Sequence, residues 1–304
     1  MFSYRHAFHA GNHADALKHL TLLACTRHLM QKPAPLQLID THAGAGIYRL
    51  HGADAAKSDE AARGIARLQA LAGEQRLPAA LQAYLDAVAS FNAKAGAWRT
   101  YPGSPLLLFS LMDSVPRRAV HDRLHLFELH PSDAPLLAAH VAQLRAGRRV
   151  RVQCSDGFAA LKRLLPPPAA AGDSRRALVL IDPSYEIKSD YARVQGAIGD
   201  ALRRFASGVY LIWHPIIARR EAHELPRRLR TLANQAQRGW LHALLHTGAA
   251  ASSAPGGGLA GSGMFVINPP HTLADALREA LPPMLGALAQ EAARAHWRVE
   301  CSMG

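Results

Sequence analysis

Residues 182–185 read Asp-Pro-Ser-Tyr and follow the apolar run ALVLI. Their types suit the handling of an aromatic amine. Such an amine is a poor nucleophile, because its lone pair is delocalised into the ring. Asp182 can accept one N–H, and a backbone carbonyl held in place by Pro183 can accept the other. The nitrogen is then favoured in a pyramidal form with its lone pair free. Proline fixes the turn, and Tyr185 offers a ring on which a flat base can stack, worth about 1–3 kcal/mol. A plain Asp-Pro turn after a strand has the same letters, so the tetrapeptide must be weighed with its neighbours.

Two more constellations stand beside it. Residues 40–46 read Asp-Thr-His-Ala-Gly-Ala-Gly after the run LQLI. Glycine lets backbone approach a ligand where a Cβ would clash. Gly44 and Gly46 are followed by Ile-Tyr-Arg-Leu, so the third glycine of the dinucleotide fingerprint is missing and NAD is disfavoured. Near the start, Tyr4, Arg5, His6, His9, His13, Lys18 and His19 crowd into sixteen residues. His9 and His13 have the four-residue spacing of helical metal ligands. Gly11 and Asn12 weaken a helix between them, and no cysteine or acid completes a set. An anion- or cofactor-binding segment is the better expectation, with no metal.

These residues need elements to position them. Short apolar runs at 36–40, 124–128, 150–154, 177–182 and 208–213 alternate with helical stretches, which argues an α/β fold with a mostly parallel sheet. Four of the five end in a polar or acidic residue, and ligands of open parallel sheets sit beyond those ends. Two further runs, 240–246 and 263–268, flank the Gly/Ser-rich loop AASSAPGGGLAGS, expected to be mobile, and could pair as an antiparallel hairpin. Asn12 is a cap candidate for a helix over 12–30. Ser104, with Pro105 at the first helical position, is another, as is Ser132 or Asp133. Helices over 156–165 and 190–205 would cross over between strands. A ribose-binding acid is expected about 20 residues beyond a glycine loop, yet Glu128 follows Gly46 by 82. The excess is explained by an alanine-rich helical insertion, with runs at 59–72 and 78–95.

The 304-residue chain is 49% hydrophobic, which excludes disordered, collagen-like and disulfide-stapled classes. No apolar run approaches the ~18 residues of a membrane span, and no signal-peptide core is present, so neither membrane nor export is expected. The net charge is +12, a field that attracts polyanions, nucleic acid above all. Of the 35 basic residues six are lysine and 29 arginine, a bias that base composition can also produce. Cys25, Cys154 and Cys301 are too far apart in sequence for a redox or metal motif, which fits a reducing cytoplasm. Nothing demands more than a monomer.

In order along the chain, SYRHAFHAGNHADALKH, IDTHAGAGIY, YPGSPLL, ELHPSD, DGF, LVLIDPSYEIKSDY, FASGVYLIWHP and GSGMFVINPP resemble the RlmJ family, adenine-N6 methyltransferases of large-subunit (23S) ribosomal RNA. Residues 182–185 are also similar to the Asp/Asn-Pro-Pro-Tyr/Phe motif of amino-group methyltransferases. The resemblance implies a class I S-adenosylmethionine-dependent, Rossmann-like fold with a mostly parallel seven-stranded sheet. Residues 1–50 and 99–304 would form the methyltransferase domain, and 51–98 an inserted helical subdomain. Lys18 and His19 would contact the methionine end of the cofactor. His42, Gly44, Gly46 and Ser104 would line the same site. Glu128 would hold the ribose, Asp156 and Gly157 the cofactor adenine. Asp182, Pro183 and Tyr185 would carry catalysis, with Asp182 also beside the cofactor, and Tyr4 and Tyr185 would contact the substrate nucleotide. Arg203, Arg204, Arg219, Arg220, Arg227 and Arg228 could hold RNA phosphates.

One position departs from the family pattern, since Ser184 replaces the second proline. The lost chain restriction is worth about 0.4–1 kcal/mol, less than a tenfold effect on rate even if all of it fell on the barrier. DNA adenine or a protein glutamine remain alternative acceptors, and a non-catalytic RNA-binding module is the alternative of another class. A cytosine-C5 enzyme is excluded, because no Pro-Cys occurs.

Overall fold

The structure is a computed structural model, and it describes residues 6–50, 59–92, 98–114, 121–170, 174–250 and 259–302. Its centre is a sheet of β1 (Gln37–Asp40), β4 (Arg123–Phe127), β5 (Val150–Gln153), β6 (Ala177–Ile181), β7 (Val209–Ile216), β8 (Trp240–His246), β9 (Gly261–Ile267) and β10 (His296–Ser302). The spatial order is β10-β8-β9-β7-β6-β1-β4-β5. Strands from β7 through β5 pair in parallel, whereas β9 and β8 form the expected hairpin and join β7 antiparallel. Residues 251–258 of the glycine-rich loop, for which mobility was expected, lie outside the described residues.

The sheet has eight strands where seven are expected from the sequence. The addition, β10, pairs antiparallel with β8 at the sheet edge. Its sequence HWRVECS alternates half-buried Trp297 and Val299 with exposed or charged residues, too sparse an apolar signal to read as a strand. A second sheet escaped notice because its strands are only three residues long. This is a ribbon of β2 (Ile47–Arg49) and β3 (Thr100–Pro102).

Side chains alternate across a strand, and the alternation divides the core. Leu38, Leu124, Leu178, Leu180 and Leu211 face α1 (His13–Met30), α5 (Ser104–Ser114), α6 (Asp133–Gln143) and α10 (Leu273–Leu288). Ile39, Val179, Ile181, Tyr210 and Ile212 face α7 (Gly157–Leu164), α8 (Ser189–Arg204) and α9 (Arg220–Gln235). The result is a three-layer α/β/α stack. Between the ends of the ribbon run α2 (Glu60–Arg63), α3 (Ile65–Glu74) and α4 (Ala79–Ser90). Leu68, Leu81, Tyr84 and Val88 of these helices join the first of the two core clusters.

In α1, 14 of 18 residues are buried, and solvent reaches it only in its C-terminal half, at Ala24, Arg27, His28 and Leu29, far less than the stripe of a surface helix. It packs against α4, α5, α10 and β9. Asn12 caps it as expected, its side chain accepting from Ala14 and Asp15 N–H. Two other caps differ from expectation. Ser104 is the first residue of α5 and its hydroxyl bonds to Asp40, while the Gly103 carbonyl accepts from Leu106 and Leu107. Ser132 makes no side-chain cap bond at α6, where the His130 carbonyl accepts from Asp133 and Ala134.

Candidate active site

From β1 the chain runs outward to β4 and β5, then returns to β6 and β7 on the other side of β1. Crevices of open α/β sheets form at such a reversal, beyond the carboxyl ends of the strands. A cavity of about 480 Å³ lies there, within the size range of small-molecule sites.

At the end of β6, Asp182 is mostly buried and accepts from Lys18 Nζ at 2.6 Å. Lys18 also meets Asp15 Oδ1 at 2.8 Å. Burial alone would lower the lysine, but the two carboxylates outweigh it and hold its pKa above the ordinary value. Burial raises Asp182, with Lys18 pulling it back. Asp15 is pinned further, by His6 Nε2 at 3.0 Å and the Gly11 N–H at 2.9 Å. His6 and then Lys18 overcome its burial and keep it well below the usual carboxylate range. Nothing in the local sequence marks Asp15, and Asp182, which shares Lys18 with it, is 167 positions away, so its place in the site is not legible in the sequence.

Tyr185 lines the cavity but is 2% exposed. Its hydroxyl donates to the Trp213 carbonyl at 2.7 Å, and its ring lies 4.6 Å from that of Tyr191. It adopts φ 55°, a sparse region for a bulky residue that costs about 1–3 kcal/mol and persists only when its surroundings fix it. Arg219 helps to do so, donating to the Tyr185 carbonyl at 2.9 Å. The ring is thus a fixed wall, not a mobile platform. Ser184 is exposed, and Pro183 is buried at the cavity wall.

Glu128 follows β4. Its two oxygens accept from Gly44 N–H and His130 N–H, each at 2.7 Å, which fixes the carboxylate and leaves lone pairs free. Burial raises its pKa. Gly44 needs its φ of 62°, and a Cβ there would lie 2.1 Å from the Tyr48 hydroxyl. Gly46 does not line the cavity and packs beside Leu106 and Leu137.

Asp156 caps α7 through Oδ1, which accepts from Phe158 N–H at 2.9 Å, and pairs through Oδ2 with Arg193 at 2.7 Å. The following Gly157 is required by contact. A Cβ would lie 2.2 Å from the Thr41 carbonyl oxygen. His42 reaches the cavity with its ring against Phe158, and burial pushes its pKa down to about 3.

Ser104 lines the wall and donates to Asp40 Oδ2 at 2.6 Å. Asp40 itself is fully buried behind it, and burial raises its pKa to about 7. His19 bonds through Nδ1 to the Tyr101 hydroxyl at 2.7 Å, while its buried Nε2 has no partner among the described residues. Burial lowers it to about 3. Tyr4 lies outside the described residues.

Lys18, His19, His42, Gly44, Ser104, Glu128, Asp156, Gly157, Asp182, Pro183 and Tyr185 therefore share one cavity, although they come from six segments of the chain. The lining fits a nucleoside-bearing cofactor. A fixed carboxylate suits a diol, a glycine contact brings backbone close, and an unpartnered buried imidazole nitrogen is left for a polar group. Among the described residues no group of three or more His, Cys, Asp or Glu is placed to hold a metal ion. His9 instead meets Glu60 at 2.9 Å. No helix among those residues is long and apolar enough to cross a membrane.

Comparison with known proteins adds to this geometry. A family model described as "Ribosomal RNA large subunit methyltransferase D, RlmJ" matches residues 33–302. The chain is 41% identical over 282 residues to the "Ribosomal RNA large subunit methyltransferase J" of Escherichia coli, covering 93% of this chain and 92% of that one. It is 37% identical over 300 residues to the protein of the same name from Haemophilus influenzae, covering 99% and 98%. A crystal structure of a Legionella pneumophila protein superposes with a TM-score of 0.79 at 29% identity, over 96% of this chain and 98% of that one.

Proposed function

The chain belongs to the RlmJ family of large-subunit ribosomal RNA methyltransferases, and from that premise we propose that it methylates N6 of an adenine in 23S ribosomal RNA, in the cytoplasm, using S-adenosylmethionine. The observation that carries the reading is the carboxylate of Asp182, held by Lys18 in the cavity that Glu128 and Asp156 also enter. Within this reading residues 51–98 are an inserted helical subdomain on the methyltransferase domain.

When bound, S-adenosylmethionine supplies a methyl group on a sulfonium, already activated for in-line transfer. Glu128, with the lone pairs its two backbone donors leave, would hold the ribose hydroxyls. Asp156, already shared between the α7 cap and Arg193, would hold the cofactor adenine, with Gly157 allowing close backbone approach. Lys18 and His19 would hold the methionine end, with Ser104 and His42 lining the same site. The low pKa values of His19 and His42 keep both rings neutral at pH 7, so neither repels a cationic cofactor.

The target adenine must leave its stack to reach the cavity. Asp182 accepts one N6 proton in a hydrogen bond and the Pro183 carbonyl the other, which turns the lone pair toward the donor. Tyr185, anchored to Trp213 and Arg219, bounds the base and limits its tilt, with Tyr4 as a second contact to the nucleotide. Alignment and exclusion of water supply most of the rate.

The test is transfer of labelled methyl to protein-free large-subunit RNA lacking the modification, with wild type beside Asp182→Ala. The expected result is label at N6 of one adenine, lost in the variant. Label on another atom, or equal labelling by Asp182→Ala, would overturn the assignment.

A further inference from the structure

Positive charge attracts a polyanion only where no carboxylate has already neutralised it. Four of the six arginines singled out from the sequence are partly neutralised in this sense, Arg203 and Arg204 sharing Asp200 and Arg220 and Arg228 sharing Glu224, while Arg219 is engaged by the backbone carbonyl of Tyr185.

The edge of the sheet at β5 is the opposite case. Arg123, Arg145, Arg148 and Arg151 are all exposed. Among the described residues no carboxylate lies within 4.0 Å of any of them. Topology gathers them. Arg151 lies opposite His125 in the β4–β5 ladder, and Arg123 precedes His125 by two on the same face of β4. Arg145 and Arg148 belong to the turn that delivers the chain into β5, a turn made by left-handed backbone at Arg145 and Gly147. The buried imidazole of His125, tied to Gln37 at 3.0 Å, feels both flanking cations in addition to its burial. Among the described residues no strand lies outside β5. Asp156, at the cavity, is five residues beyond Arg151, which puts the two Cα atoms at most about 18 Å apart.

We propose that this basic edge docks the sugar-phosphate backbone of the ribosomal RNA flanking the target nucleotide, an inference that rests on the rRNA methyltransferase reading. The four side chains offer guanidinium groups and no exposed aromatic ring, so the contact is to phosphates and positions the RNA without reading its bases.

The test compares wild type with Arg123, Arg145, Arg148 and Arg151 all changed to Gln, together with the single variants Arg148→Gln and Arg151→Gln. A long 23S fragment and a short stem-loop holding only the target and its immediate neighbours serve as substrates. Each lost phosphate contact should lower the slope of log affinity against log salt by about 0.7–0.9. The quadruple variant is thus expected to lose about three units of slope and at least tenfold in KM on the long RNA. Its kcat, its S-adenosylmethionine affinity and its activity on the stem-loop should match wild type. Arg203→Gln with Arg204→Gln should leave the slope unchanged. If wild type methylates the long RNA and both single variants and the quadruple variant keep its salt slope, the docking surface is refuted. If wild type methylates neither RNA, the underlying reading fails instead.

Discussion

Replacing Lys18 by methionine removes one ammonium from between two buried carboxylates. The losses on its two sides are unequal. Asp15 retains His6 and the Gly11 N–H, whereas the hydrogen bond of Asp182 comes from Lys18. Removing one member of a buried pair typically costs about 3–5 kcal/mol. A group so placed relieves that cost by taking a proton, at about 1.4 kcal/mol per pKa unit. The proton goes to Asp182, whose pKa burial already raises, and that pKa should climb by about two units or more. Below the new value Asp182 is a neutral acid and a poorer acceptor for the amine. Activity is then lost as pH falls through it and regained as pH rises. The expected result is an acid limb of the rate profile moved about two units to higher pH, with an alkaline plateau near that of wild type. Initial rates of methyl transfer at saturating cofactor, between about pH 5.5 and 9.5, measure this, with Lys18→Arg as the charge-preserving control. An acid limb left in place, or a loss of equal size at every pH, would show that Lys18 acts by contact and not through the charge state of Asp182.

Gly157→Ala should destabilise the fold by about 1–3 kcal/mol and weaken cofactor binding, because the new Cβ meets backbone of Thr41 that cannot swing aside. Denaturant unfolding and calorimetric titration check it, and wild-type values in both would mean that β1 and α7 can part at no cost. Ser184→Pro, at an exposed position, should gain about 0.4–1 kcal/mol of stability and change turnover less than tenfold; a larger change in turnover would make the departure from the family pattern a functional one. Buried His214 and His242 share a 2.9 Å hydrogen bond, and burial lowers them to about 4 and about 2. The unfolded chain therefore binds protons first, and stability present above about pH 6.5 is lost as pH falls. Between pH 6.5 and 5 each contributes about 2 kcal/mol to that loss. His242→Leu should remove about one such share, and an unchanged difference between pH 7 and pH 5 unfolding curves would refute it.

What the sequence disclosed follows from the range over which its physics acts. Parallel strands buried on both faces read as apolar runs, and their acidic ends, the Gly44 turn and the Asn12 cap are local chemistry. That is enough to name most of the residues around the cavity. The features that stayed hidden are pairings across long separations. Asp15 joins the cavity's charge network only because folding brings Lys18 to Asp182. Asp156 is visible as a strand-end acid, but its division between the α7 cap and Arg193 is not. Arg219 reads as one more surface arginine, yet it supports the backbone of Tyr185. Charge neutralisation is equally invisible, which is why the arginines chosen by clustering in sequence differ from those left unpaired along β5. The strand β10 was lost for the converse reason, since an edge half in water needs few apolar residues.

The burial of most of α1 has a consequence for how the protein is made. Residues 13–30 leave the ribosome early, but β9 and α10, against which they pack, span residues 261–288 and leave late. A helix so largely buried has little stability before its partners arrive. Until then Lys18 has no fixed position, and Asp182 would face the cavity without its cation. The nascent chain is thus expected to gain competence only near the end of synthesis. A chain cut short before β9 would be expected to keep the glycine turn and the acids at the ends of β1, β4 and β6, and still transfer nothing.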